Sequence, residues 1–136
     1  MIIVLYVDDL IITRNDDNMI EEVKEELMKG FKMTDLGLFH YYLGIEVWQL
    51  KDKIFISQSK YASKILKRFQ MDDCKAVASP MEQGQKFSLA EDGEKFDATL
   101  YRQLVGSLIY LTTTRPDLSF IVGILSQYMH SPRMDH

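Results

Sequence analysis

Two adjacent carboxylates, Asp8 and Asp9, stand between the apolar, β-branched runs 2–7 and 10–13. A reversal between apolar strands ordinarily takes Asn-Gly or Asp-Gly, because its backbone needs positive φ. Here two acids occupy the reversal and no glycine is present. Like charges fixed side by side against a sheet repel unless a cation shares them. Hard carboxylate oxygens suit Mg²⁺ or Mn²⁺, and a pair of such ions suits phosphoryl transfer. The alternative is a solvated acidic turn, since Asp is a common turn residue.

The elements that must hold this pair follow from hydrophobic spacing. Runs 2–7 and 10–13 predict two short strands, and their lack of polar alternation predicts that both faces are covered. Arg14-Asn15-Asp16-Asp17-Asn18 is a turn cluster with several candidate N-caps. A helix follows with Ile20, Val23, Leu27, Met28 and Phe31 on one stripe, Glu21 and Glu22 in its first turn, and Gly30 as its stop. Asp35-Leu36-Gly37 reads as a turn. Residues 39–50, a polar reversal at 51–53 and a return at 54–56 predict a second hairpin. Tyr61, Ile65, Leu66 and Phe69 predict a helix over 59–69. Residues 72–93, with Pro80 and Gly84, read as an exposed connection. Two helices close the chain, over about 99–111 and 115–129, the second opened by Thr114-Arg115-Pro116-Asp117 and closed before Pro132. There is no internal repeat.

Composition narrows the function classes. The chain has 136 residues, 46% hydrophobic and 26% charged, which suits one ordinary domain or two small lobes with a real core. Cys74 is the single cysteine, which excludes an internal disulfide and a cysteine-based zinc site. The apolar run before Asp8 is too short to span a bilayer and lacks the marks of a signal peptide. No membrane role is expected, and cytosol or nucleus is the expected compartment. A net charge of -4 argues against a chain coated for nucleic acid, but the charge is unevenly spread. Residues 1–58 carry 6 Lys/Arg against 11 Asp/Glu, whereas residues 59–80 carry 5 against 2. Lys60, Lys64, Lys67 and Arg68 share one face of the 59–69 helix, opposite its apolar stripe. Such a face could track phosphates or simply be solvated.

Tyr6-Val7-Asp8-Asp9 resembles the Tyr-X-Asp-Asp motif of reverse transcriptases. Phe31-Lys32-Met33-Thr34-Asp35-Leu36-Gly37, Tyr41-Tyr42-Leu43-Gly44-Ile45-Glu46-Val47 and Ser79-Pro80-Met81 follow in the order and spacing of copia-type LTR-retrotransposon reverse transcriptases. So do the stretch from Tyr101-Arg102-Gln103-Leu104 to Ile109-Tyr110-Leu111, and then Thr114-Arg115-Pro116-Asp117. The resemblance covers essentially the whole chain. It implies that Asp8, with Asp9 beside it, binds catalytic Mg²⁺ or Mn²⁺. Tyr6 and Val7 would lie near the primer terminus and incoming nucleotide. Leu43-Gly44-Ile45 resembles the primer grip, where glycine permits close backbone approach; without the resemblance it reads equally well as a bulge or bend.

The family's catalysis also needs an upstream aspartate and nucleotide-binding fingers, and family chains continue downstream towards a ribonuclease H domain. The match begins just before Asp8, so these parts are expected outside this chain. The expected fold is α+β: two antiparallel hairpins packed with one helix as a partial palm over 1–58, then a mainly helical thumb- or connection-like region over 59–136. The implied partners are an RNA or DNA template–primer and a deoxynucleoside triphosphate, in an intact enzyme that uses two-metal nucleotidyl transfer. A strand edge lacking its palm partner predicts self-association. The rival readings are a non-enzymatic nucleic-acid-binding module and an inert remnant of a decayed element. His40, His130 and His136 lack ligand spacing, Ser57, Ser59 and Ser107 lack a nucleophile-elbow context, and Trp48 reads as hairpin packing before it reads as a base-stacking residue.

Overall fold

A computed structural model describes residues 1–81, 84, 87 and 93–136. The expected connection over 72–93 therefore falls in part, at 82–83, 85–86 and 88–92, outside the described residues. The fold is mixed α+β, with small antiparallel sheets and helices in two compact units, Met1–Tyr42 and Leu43–His136. Among the described residues, no helix is long and apolar enough to cross a membrane.

In the first unit, β1 (Ile2–Tyr6) pairs antiparallel with β2 (Asp9–Thr13), in a register running from Ile2↔Thr13 to Tyr6↔Asp9. The reversal is thus Val7–Asp8, one residue earlier than the expected Asp8–Asp9, and Asp9 already belongs to β2. The expectation that both faces are covered also fails. Every residue of β1 is exposed, and Leu10, Ile11 and Ile12 are only half-buried. An unbroken apolar run marks strand propensity; burial depends on what packs against the strand.

Helix α1 (Asp17–Gly30) starts where expected, with the Asp16 carboxylate accepting from the Asn18 N–H at 3.1 Å. Its apolar stripe is half-covered: Ile20, Val23 and Leu27 are intermediate, while Met28 and Phe31 are exposed. Lys24 pairs with Glu21 at 2.7 Å and Asp35 at 3.0 Å, fastening the segment after α1 back onto the helix. The short strand β3 (Tyr41–Tyr42) ends the unit.

The expected strand over 39–50 is interrupted. Leu43 and Gly44, with φ of 49° and 89°, form a two-residue turn before β4 (Ile45–Leu50). Positive φ at both central positions is the type I′ pattern, costless for glycine and uncommon for leucine. In the second unit β4 pairs with β5 (Lys53–Ser57), from Glu46↔Ser57 to Leu50↔Lys53. Helix α2 (Ser59–Arg68) follows at once. The compact second unit begins at Leu43 and includes the β4–β5 hairpin.

Helix α3 (Ala98–Leu111) is opened by Asp97, whose carboxylate accepts from the Thr99 and Leu100 N–H groups. The expected last helix is shorter than its spacing predicts: a 3₁₀ turn at Pro116–Leu118 leads into α4 (Ser119–Ser126). Tyr101, Val105 and Tyr128 form the buried core between these helices, flanked by Phe87, Phe96, Ile124, Leu125 and Met129. Both core tyrosines satisfy their hydroxyls on backbone carbonyls, Tyr101 on Leu125 at 3.0 Å and Tyr128 on Phe87 at 3.2 Å.

Candidate functional site

In the first unit, the β1–β2 hairpin brings Tyr6, Val7, Asp8 and Asp9 to one exposed end. Val7 takes a φ of 56° and is 81% exposed. Positive φ at the first central position alone is the type II′ pattern, where glycine is usual. A β-branched residue there stores roughly 1–3 kcal/mol of backbone strain. Asp8 follows at the tip, and Asp9 sits directly across from Tyr6. Beside them the Tyr42 ring meets Tyr6 edge-on at 6.1 Å and Phe39 at 5.6 Å. The Tyr42 hydroxyl is buried without a hydrogen-bond partner among the described residues. Burial, and then the neighbouring Asp9 and Tyr6, hold this phenol above its ordinary pKa, so it remains a proton donor.

Asp8 and Asp9 are hard oxygen donors of the kind Mg²⁺ or Mn²⁺ takes. Among the described residues, no group of three or more His, Cys, Asp or Glu side chains is placed to hold a metal ion. The pair has the right chemistry and too few ligands.

The second unit holds the other predicted residues. The Leu43–Gly44 turn is latched by Tyr110 of α3, whose hydroxyl donates to the Leu43 carbonyl. Tyr110 packs edge-on against Tyr61 of α2 at 5.0 Å, and both rings lie within 4 Å of where a Cβ on Gly44 would stand. Ile45 is half-buried, and next to it Glu46 and Val47 are buried. Glu46 accepts the Lys60 N–H at 3.0 Å, with the Lys60 Nζ at 3.7 Å. The Ser57 hydroxyl accepts the Ser59 N–H at 3.1 Å. Strands β4 and β5 therefore cap the first turn of α2, whose own N-cap residue, Gln58, makes no side-chain cap. Gln58 is instead buried, donating to the Tyr110 carbonyl at 3.2 Å and accepting from the Thr114 hydroxyl at 2.8 Å.

Lys60, Lys64 and Lys67 line an open groove of about 440 Å³ together with Ser59 and Ser63. Arg68, also exposed, bonds to Gln103 of α3 at 2.8 Å and lies over the Phe69 ring at 5.6 Å. Sequence reasoning did not find the supporting roles of Glu46, Gln58, Tyr61 and Tyr110. Their partners lie 14 to 67 residues away, and no local pattern marks such contacts.

Comparison with known proteins identifies the family. Residues 1–83 match the family described as "Reverse transcriptase (RNA-dependent DNA polymerase)". The chain is 42% identical over 97% of its length to the "Retrovirus-related Pol polyprotein from transposon RE2" of Arabidopsis thaliana. It is 34% identical over its whole length to the corresponding polyprotein from transposon TNT 1-94 of Nicotiana tabacum. It covers 9% of the first and 11% of the second. An uncharacterized mitochondrial protein of Arabidopsis thaliana is 38% identical over 98% of the chain, which covers 55% of that protein. No solved structure gives a significant match.

Proposed function

Because this chain belongs to the reverse transcriptase (RNA-dependent DNA polymerase) family of retrotransposon Pol polyproteins, we propose that it contributes the Asp8–Asp9 hairpin and a phosphate-contacting helix to templated DNA synthesis. In a two-metal nucleotidyl transfer, bound Mg²⁺ or Mn²⁺ lowers the pKa of the primer 3′-hydroxyl and balances charge on the leaving pyrophosphate. Asp8 at the turn tip and Asp9 on β2 would hold the cations. Val7 presents its exposed side chain, and Tyr6 its backbone, beside the reacting nucleotide. The Leu43–Gly44–Ile45 turn steadies the primer end, and Tyr110 and Tyr61 fix that turn from below. Lys60, Lys64 and Lys67 meet template–primer phosphates, while Arg68 braces α2 on α3.

The observation that carries this reading is the Asp8–Asp9 pair itself, exposed on a reversal whose first residue, Val7, takes positive φ. Phosphoryl transfer depends almost wholly on positioning and charge stabilisation.

Residues 1–136 alone are expected to show no primer extension with either cation. Placing the upstream polymerase region of a related Pol polyprotein ahead of Met1 is expected to confer it. In that fusion Asp8→Asn abolishes extension, whereas Asp16→Asn, which alters only the cap of α1, leaves most of it. Robust extension by the isolated chain, or equal losses from the two substitutions, would refute the assignment.

A further inference from the structure

The β4–β5 hairpin leaves an aromatic pair uncovered. Trp48 and Phe55 face each other across the two strands with ring centroids 5.6 Å apart, yet Trp48 is 44% and Phe55 60% exposed. Side chains alternate along a strand, so Phe55 and Ser57 share one face, a step of about 7 Å apart. Ser57 bonds to Ser59 between hydroxyls at 2.7 Å, and Ser59 opens the lysine groove of α2. On the partner strand Glu46 occupies the matching step from Trp48 and is engaged with Lys60. Glu46 and Ser57 therefore link the strands of the aromatic pair to the first residues of the basic groove. Lys53, across from Leu50, lies at the other end of the same face, next to Lys51 and Asp52 in the turn.

An aromatic platform continued by a cationic groove is the composition that binds unpaired nucleic acid: bases stack on rings and phosphates follow the charge. We propose that Trp48 and Phe55, together with Lys60, Lys64 and Lys67, bind a single strand of nucleic acid, with one or two unpaired bases stacked on the aromatic pair. A paired duplex has its bases stacked internally and offers this platform only its backbone. The inference rests on the reading of α2 as a phosphate-contacting helix and is independent of the Asp8 chemistry.

Trp48 is the single tryptophan, so its fluorescence reports this site directly in the full 136-residue chain. Titration with oligothymidylate is expected to quench it. An abasic oligomer of equal length and charge, and a fully paired duplex, are expected to leave it unquenched. By fluorescence anisotropy, oligothymidylate should bind at least about tenfold more tightly than the abasic oligomer, the effect of one stacked base. Phe55→Ala should remove that margin with abasic affinity unchanged, and Phe55→Tyr should restore it, which separates stacking from a folding defect. Lys60→Gln/Lys64→Gln/Lys67→Gln should weaken both ligands and flatten the salt dependence. Equal affinity for oligothymidylate and abasic oligomer would overturn the inference and leave the phosphate reading standing. No binding of either would overturn both. Quenching by duplex equal to that by single strand, or Trp48 becoming protected as protein concentration alone rises, would assign the aromatic pair to another partner and overturn it.

Discussion

The β1–β2 and β4–β5 hairpins, each with five paired positions, fare differently. In β1–β2 every residue of the first strand is exposed. In β4–β5, Glu46 and Val47 are buried, and the open end of the hairpin is fastened to α2 through Glu46 and Ser57. Strand propensity and a two-residue turn suffice to pair both. In the second, neighbours in its own unit bury one end, at Glu46 and Val47, whereas no residue of the first is more than half-buried. An isolated two-stranded hairpin is marginal by itself, so β1–β2 has the weaker hold on its own shape while carrying the carboxylates. Its exposed apolar strand is also the natural place for association.

Paired truncations break the comparison most directly. Ile65, 8% exposed in α2, should lose about 2–4 kcal/mol on Ile65→Ala in chemical denaturation. Leu5, 71% exposed in β1, should change stability by less than about 0.5 kcal/mol on Leu5→Ala. Equal losses would mean that β1 is covered in solution, and light scattering would then show whether a second copy covers it.

A smaller effect tests the fastening of the second hairpin. Glu46→Ala leaves the Lys60 N–H without its acceptor and should cost about 1–2 kcal/mol, the loss of a helix cap. Glu46→Gln retains an acceptor oxygen and should recover at least half. Hydrogen exchange at the first turn of α2 would locate the change.

Val7→Gly sharpens the contrast from the other side. Glycine takes a φ of 56° without strain, so the substitution should stabilise the β1–β2 turn by about 0.5–1 kcal/mol, measured as slower amide exchange across the hairpin. Loss of protection would instead show that the Val7 side chain, not the turn geometry, holds the hairpin closed.

How much of this was legible in the sequence depends on the range of the interaction. Strand and helix positions are local properties: Ile2–Tyr6, Asp17–Gly30, Ser59–Arg68 and Ala98–Leu111 lie close to where spacing and caps predict them. The reversal was misplaced by one residue because Val7, a poor turn residue, occupies the left-handed position. The break at Leu43–Gly44 was legible only in part: Gly44 allows a bulge or bend, but a leucine with positive φ carries no turn signature, so 39–50 reads as one strand. Burial was the least legible quantity. The polar contacts of Glu46 and Gln58 join residues far apart in the chain, and the bond of Arg68 to Gln103 reaches another helix.

The smallest expected effect lies in the segment after α1. The Gly37 N–H, and then Lys24, hold the Asp35 carboxyl below the usual carboxylate pKa. A depressed pKa contributes stability above the unfolded-state pKa that is lost as pH falls through the folded value. Acidification below about pH 4 should therefore release this segment from α1. Lys24→Gln should raise the Asp35 midpoint only partly in an NMR titration, because the larger contribution, from Gly37, remains.

Gln58 has both ends of its amide committed, one as donor to Tyr110 and the other as acceptor from Thr114. Gln58→Glu would set a carboxylate oxygen against the Tyr110 carbonyl, and no rotation of the side chain could relieve it. Asp8, exposed at a turn tip, makes no comparable demand on the fold. Substitution at Gln58 is therefore read out in stability, whereas substitution at Asp8 leaves the fold in place.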